Sequence, residues 1–257
     1  TEPDGGSDAG ATRTRAVLDG ADWVLDGAKA FITNCGTDIT SVTTVTARTD
    51  EGISAFVVPA GTPGFVVEPA YDKLGWHASD THGLSFDACR VPQSNLLGRR
   101  GRGFRQFLAT LDDGRIAIAA LALGLSRACL EASLAYAGER TAFGRPIGAN
   151  QGVAFPLADL DVAVESSRLL VYTAARLRDA GADPAEVSRA AARAKLYATE
   201  AAVSATRTAT QVFGGYGFIE EYPVARFYRD AKILEVGEGT SEVQRIVLAR
   251  AMGLPVG

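Results

Sequence analysis

Histidine and cysteine are scarce in this chain of 257 residues: two His (His77, His82) and three Cys (Cys35, Cys89, Cys129). Two histidines exclude a His-rich metal centre. Three widely spaced cysteines, an odd number, suit a reducing, cytoplasmic compartment and no metal site. Positive charge is not in excess either. Twenty-six Lys+Arg against 30 Asp+Glu leave a net charge of -4, which argues against general nucleic-acid binding. No apolar run reaches about 18 residues without a charge, so no membrane span is expected. A signal-peptide pattern, an internal repeat and a low-complexity tail are all missing. So are the common phosphate and nucleophile motifs. Gly98, Gly101 and Gly103 do not give GxGxxG spacing, and the chain has no GxxxxGK[ST] and no GxSxG. What remains is ordinary: 47% hydrophobic and 22% charged residues. That composition rules out disorder, collagen and coiled-coil rod, and the length suffices for one large or two ordinary domains.

Up to about residue 97 the pattern is that of strands. Asp19-Gly20 and Asp26-Gly27 are hairpin-type turn signals flanking Trp23-Val24-Leu25. Residues 28–34, 41–47, 53–58 and 65–67 alternate or are rich in Val and Thr, which suits a half-buried pleated surface. Leu84, Phe86 and Ala88 alternate before Pro92. Beyond Arg99 the apolar period becomes helical. Phe104, Phe107, Leu108 and Leu111 form one stripe, and Leu157, Leu160, Val164 and Val171 another. Helices are expected over about 103–138, 150–179, 184–213, 222–235 and 240–252. Asp183 is a cap, Pro184 the first helical residue and Gly181 the preceding stop. Strands followed by helices make the fold class α+β. The expected domains are a small antiparallel β-barrel or sandwich over 1–97 and an antiparallel four-helix bundle over 98–257.

Four stretches could carry chemistry. Thr1-Glu2-Pro3-Asp4-Gly5-Gly6-Ser7-Asp8 offers hydroxyls and approachable backbone amides, although taken alone it reads more simply as an ordinary turn before a strand. Arg140-Thr141-Ala142-Phe143-Gly144 reads as a phosphate clamp with a stacking surface, or as a surface Arg beside a core Phe. In Gln211-Val212-Phe213-Gly214-Gly215-Tyr216-Gly217-Phe218, three glycines interrupt a helix. A simple helix stop accounts for one of them. Glu235-Val236-Gly237-Glu238-Gly239-Thr240 sets a carboxylate between glycines ahead of a helix; the plainer alternative is a capping loop. Arg99, Arg100, Arg102 and Arg105 form a basic cluster that reads as a solvated loop or a cationic groove. His77 and His82 lack ligand-spaced partners and read as structural.

Taken together and in this order, the motifs resemble the acyl-CoA dehydrogenase family over essentially the whole chain, most closely its short-chain and branched short-chain members. The resemblance rests on Thr1-Glu2-Pro3…Gly6-Ser7-Asp8, Phe31-Ile32-Thr33-Asn34, Leu111-Asp112-Asp113-Gly114-Arg115-Ile116, Arg140–Gly144, Gln211–Gly215, and Tyr228-Arg229-Asp230-Ala231-Lys232 running into Glu238-Gly239-Thr240. It implies an enzyme that uses FAD to convert an acyl-CoA to the 2,3-enoyl-CoA. Glu238 would be the base for the α-proton, with hydride passing from the β-carbon to the flavin. Thr1, Phe31, Thr33, Arg140, Phe143, Gln211, Gly214, Gly215, Thr240 and Gln244 would meet FAD, and Ser7, Asp112, Arg115 and Gly239 the substrate.

It implies an electron-transferring flavoprotein as partner and a homotetramer, or at least a dimer. No nucleic-acid or membrane partner is implied. Three departures stand out. Phe31 replaces a common Trp. Ala142 replaces a hydroxyl residue. Gly237 stands where Tyr is common before the base, which predicts a wider acyl pocket. Some relatives carry the base on the long helix, near Gly114, where this chain has no carboxylate. The resemblance also implies an N-terminal helical domain ahead of these residues; because the sequence opens on Thr1, inside a motif, a truncated chain without that domain is expected, and with it weak FAD retention. The rival readings are a flavin-binding relative without dehydrogenase activity, a partner subunit inactive alone, and an α+β domain without cofactor.

Overall fold

The structure, a computed structural model, describes residues 1–256. Two compact units divide it, Thr1–Thr110 and Leu111–Gly257. Helix α1 (Gly103–Glu139) contains the boundary.

The first unit is built on one seven-stranded sheet. In chain order its strands are β1 (Arg15–Asp19), β2 (Asp22–Thr33), β3 (Val42–Thr49), β4 (Gly52–Pro59), β5 (Phe65–Ala70), β6 (Thr81–Pro92) and β7 (Leu96–Leu97). In space the order is β5-β6-β2-β1-β3-β4-β7. All pairings are antiparallel except β1 with β3, which meet in parallel at Arg15 and Arg48. The sheet is therefore mixed, not purely antiparallel as the sequence suggested. The parallel pair forms because β2 returns to pair with β6, leaving the free edge of β1 to β3.

Asp19-Gly20 does turn the β1–β2 hairpin, with Asp19 opposite Asp22 and Gly20 at φ +63°. Asp26-Gly27 does not turn. It lies inside the unbroken β2, at a register slip against β6. Gly27 is required there because a Cβ would come within 2.7 Å of the Thr14 backbone. Alternation along the strands sends Trp23, Leu25, Val45, Phe56, Val58, Leu84, Phe86 and Val91 into one core. Each large apolar side chain buried this way contributes about 2 kcal/mol. Trp23 packs edge-on against Phe56 at 5.2 Å, and Arg100 lies 4.9 Å over the Trp23 ring while pairing with Asp50 and Glu51. One arginine of the basic cluster is thus structural.

The second unit is a helical bundle. Its elements are α1, a short hairpin of β8 (Thr141–Ala142) and β9 (Arg145–Pro146), α2 (Gln151–Asp179), α3 (Pro184–Phe213), α4 (Pro223–Val236) and α5 (Ser241–Ala251). The five helices fall on the five ranges expected from the sequence, each end within one or two residues. Asp183 caps α3 by accepting from Ala185 N at 2.9 Å, with Pro184 in the first turn, and Gly181 closes α2 at φ +64°. Leu157, Leu160, Val164 and Val171 are buried as their spacing implied. The α1 stripe is not: Phe107 and Leu108 are exposed. The buried residues of α3 are mostly alanine, at 190, 191, 192, 194, 198, 202, 205 and 209, joined by Val187, Lys195, Thr199, Thr206 and Phe213; small side chains let neighbouring helices approach closely.

Helix α1 has an 18-residue window of mean hydropathy 1.5, long and apolar enough by composition to cross a membrane. Arg115, Arg127 and Glu131 punctuate it, so a charge-free-run criterion passes over it. Within the bundle Ala119, Ala122 and Cys129 of α1 are fully buried, and Cys129 and Leu130 pack with Leu160, Val164, Ala205 and Phe213.

Candidate functional site

In the strand unit, the segment around Thr1 is ordered by a residue with no predicted role. The Glu2 carboxylate is buried and accepts from Arg13 N at 2.6 Å, Thr14 N at 3.0 Å and Lys29 Nζ at 2.7 Å. Burial alone would raise its pKa. The Lys29 ammonium and the Thr14 and Arg13 donors outweigh that and bring it down to about 2. Burial also pulls the Lys29 pKa down, against the attraction of Glu2. The Thr1 carbonyl accepts from Ala30 N at 3.0 Å, so Thr1 lies beside Phe31 in space. Thr1, Ser7, Phe31 and Thr33 are all exposed. Phe31 sits at φ +59°, where the extended geometry of β2 is interrupted and the β2–β6 register slips between Lys29 and Ile32. A left-handed aromatic of this kind costs about 1–3 kcal/mol. Its ring lies 5.1 Å from Tyr71.

His82 lies opposite Ile32 across the β2–β6 pair. Its Nε2 meets Asp80 Oδ1 at 2.6 Å and its Nδ1 meets the Glu68 carbonyl at 2.6 Å. Two acceptors on two ring nitrogens favour the imidazolium, and the Glu68 carbonyl and then Asp80 raise the His82 pKa. Asp80 in turn accepts from Gly36 N at 2.8 Å.

In the helical unit, Arg140, Gly214 and Gly215 come together on a cavity of about 540 Å³, with Tyr136, Phe213 and Tyr216. Tyr136 stacks on Phe213 at 4.1 Å, and the Arg140 guanidinium lies 5.9 Å from the Tyr216 ring. Gly214 and Gly215 face open space, whereas Gly217 is forced: a Cβ would lie 2.3 Å from the Thr210 carbonyl. Phe143 is not in this wall. It projects from the β8–β9 turn at φ +52° and is 99% exposed. Gln211 is exposed, and its carbonyl caps α3 through Gly214 N.

A second cluster of the helical unit surrounds Glu238. This residue is exposed and left-handed at φ +53°, followed by Gly239 at φ +84°. Its carboxylate lies over Gly114 of α1, where an added Cβ would be 2.5 Å from Oε2. Thr240 caps α5 by accepting from Val243 N at 3.3 Å. Gln244 is fully buried, and its Nε2 donates to the Gly239 carbonyl at 2.8 Å and the Glu238 carbonyl at 3.4 Å. Asp112 pairs with buried Arg115 at 2.7 Å and accepts from Ser188 Oγ at 3.1 Å.

Lys195 was not singled out from the sequence. It is fully buried on α3 and donates from Nζ to the Gly239 carbonyl at 2.8 Å. Burial brings its pKa down to about 8, with Glu235, Glu238 and Glu242 opposing and Arg115 assisting. Its signal was present: Lys195 occupies a core position of the alanine face, between Ala191 and Ala198.

Residues 1–89 match the family profile of the acyl-CoA dehydrogenase middle domain, and residues 101–253 that of the acyl-CoA dehydrogenase C-terminal domain. A probable acyl-CoA dehydrogenase of Bacillus subtilis is 47% identical over 256 residues, covering 98% of this chain and 67% of that protein. The mitochondrial short-chain specific acyl-CoA dehydrogenase of Mus musculus is 46% identical over 252 residues, covering 97% of this chain and 60% of that protein. The solved structure of butyryl-CoA dehydrogenase from Megasphaera elsdenii superposes with a TM-score of 0.93 at 43% identity, covering 98% of this chain and 66% of that one. This chain therefore spans from 60% to 67% of the length of these curated relatives.

Proposed function

The chain belongs to the acyl-CoA dehydrogenase family, and from that premise we propose that it serves the FAD-dependent α,β-dehydrogenation of a short or branched short-chain acyl-CoA. The observation that carries this reading is Glu238, an exposed carboxylate on a left-handed backbone, set over the side-chain-free surface of Gly114.

The chemistry asks for such a group. An α-proton beside a thioester is weakly acidic. Its removal needs a fixed base and donors on the carbonyl oxygen, where negative charge develops. Glu238 takes the α-proton on its carboxylate, and its own backbone N–H is offered to that oxygen. The α-carbon's electron pair becomes the new double bond as the β-hydrogen departs with its pair. FAD, when bound, supplies the acceptor for that hydride. Exclusion of water by the substrate strengthens the base.

The residues present fit the cofactor. The cavity beside Arg140 combines a guanidinium, stacked aromatic rings and an open glycine wall at Gly214 and Gly215. This suits the phosphate and adenine portion of a dinucleotide. We assign Arg140, Gly214, Gly215 and Gln211 to that end, Phe143 to the cofactor site of a second copy, and Thr1, Phe31 and Thr33 to the isoalloxazine end. Ser7, Arg115 with Asp112, and Gly239 are assigned to the substrate. Thr240 and Gln244 shape the loop that carries Glu238. Phe143 and Phe218, 99% and 91% exposed, support a homo-oligomer in which a second copy covers them. An electron-transferring flavoprotein is the proposed acceptor of the electrons.

Anaerobic addition of butyryl-CoA to the FAD-loaded protein is expected to bleach the flavin absorbance. Glu238→Gln is expected to keep FAD and abolish bleaching. Normal bleaching in that variant overturns the assignment of the base.

A further inference from the structure

We infer that Lys195 is a positioning residue for the Glu238 carboxylate, acting through the carbonyl of Gly239; the inference rests on the reading of Glu238 as the base.

A lysine with no exposed surface is expensive. An ammonium taken out of water loses several kcal/mol of hydration, and an apolar side chain of similar volume is usually at least as stable in its place. The neighbours of Lys195 on its helix face are Ala191, Ala192, Ala198 and Thr199, and the Thr199 hydroxyl is spent on the Lys195 backbone carbonyl at 2.8 Å, so none of these α3 side chains offers the ammonium a charge of opposite sign. Its bond to Gly239, at 2.8 Å, crosses 44 residues of sequence, from the middle of α3 to the turn between α4 and α5. Folding stability alone does not call for a charge at this point.

The Gly239 carbonyl receives a second donor, Gln244 Nε2, also at 2.8 Å and also from a fully buried side chain. Two donors from two different helices thus take both lone pairs of one oxygen. Gln244 reaches the Glu238 carbonyl as well, at 3.4 Å. The two carbonyls that follow the Glu238 Cα are therefore both gripped from beneath. Gly239 permits this grip: it adopts φ +84°, and a Cβ there would come within 2.8 Å of Gln244 Nε2.

With the peptide planes on the C-terminal side of Glu238 fixed, the Cα–Cβ direction of Glu238 is fixed too, and it points the carboxylate over Gly114. Arg115, the residue after Gly114, acts on Lys195 as a like charge, while Glu235, Glu238 and Glu242 attract it. The ammonium thus sits among charges from α1, α4, α5 and the turn itself, and one of its three N–H groups is held by the turn.

The test uses the protein loaded with FAD and three forms: wild type, Lys195→Met and Glu238→Gln. Methionine keeps the length of the side chain and removes the donor. Two quantities are measured by anaerobic flavin bleaching, the limiting rate at saturating butyryl-CoA and the butyryl-CoA dissociation constant. For Lys195→Met the limiting rate is expected to fall about tenfold or more, with the dissociation constant within about twofold of wild type and an undiminished melting temperature. A purely structural lysine would lower the melting temperature and leave that split unmoved.

Amide exchange, which needs no flavin, supplies the second readout. Gly237, Val243 and Gln244 are expected to exchange about fivefold faster or more in Lys195→Met, with the α2 core unchanged. Unchanged exchange at those amides, or a limiting rate within about twofold of wild type, overturns the proposal. If Lys195→Met does not fold, Gln244→Leu removes the other half of the grip and is expected to show the same split. Normal bleaching in Glu238→Gln would instead remove the base reading, whatever Lys195→Met shows.

Discussion

Glu238 and Gly114 meet side chain to backbone: the carboxylate occupies the space that a Cβ on α1 would fill, 2.5 Å from Oε2. A glycine inside a 37-residue helix costs about 1 kcal/mol relative to alanine, and this contact is the reason to keep it. Gly114→Ala is expected to raise thermal stability slightly and to cut the flavin reduction rate about tenfold or more, because the carboxylate is displaced. Stopped-flow reduction beside a melting curve checks both. Unaltered reduction would mean that the carboxylate does not need this seat.

The space beside the base sets a second expectation. Gly237 has φ -68°, which any residue adopts, and a Cβ there would meet only the Ile233 carbonyl at 3.4 Å. Gly237→Tyr is therefore expected to fold normally. Its ring is expected to narrow the acyl pocket, lowering kcat/KM for isobutyryl- and 2-methylbutyryl-CoA about tenfold relative to butyryl-CoA. Equal losses for straight and branched substrates would remove Gly237 from the specificity argument.

Glu2 gives the strand unit an acid-sensitive anchor. Its pKa is about 2 in the folded chain against 4.5 ordinarily. A depressed carboxylate stabilises above its unfolded pKa, and that contribution is lost as pH falls through the folded value. Melting temperature is thus expected to drop between about pH 4.5 and pH 2. Glu2→Ala leaves Lys29 buried without its partner and is expected to cost about 3 kcal/mol at neutral pH. Urea denaturation followed by Trp23 fluorescence reads it.

His82 has the opposite sign. Its pKa is raised by the Glu68 carbonyl and Asp80. Its contribution is full below the ordinary histidine value and is lost as pH rises through the folded one. Amide exchange at Gly36, whose N–H is held by Asp80, is expected to quicken beyond its normal pH dependence over that range. His82→Gln is expected to abolish the excess.

The sequence exposed the helices almost residue by residue, because their ends are written locally: Asp183-Pro184 opens α3 and Gly181 closes α2. The strands were legible from alternation, but their partners were not. Asp26-Gly27 has the composition of a turn, and only the approach of Thr14, 13 residues earlier than Gly27, makes it a bulge. The candidate site was legible as motifs whose members share a short stretch, such as Glu238 to Thr240. Glu2 and Lys195 escaped because their partners, Lys29 and Gly239, are distant in sequence, and a charge in a helical pattern is ordinarily read as solvated.

The successive left-handed residues Glu238 and Gly239 have one further consequence. A turn of this kind has few neighbouring conformations to visit, since leaving it requires two backbone rotations at once. Its loss of conformational entropy is met once, when the chain folds. With Glu238 as the proposed base, none of it has to be met again at each turnover, and the free energy of binding the proposed acyl-CoA substrate remains available for aligning its α-carbon.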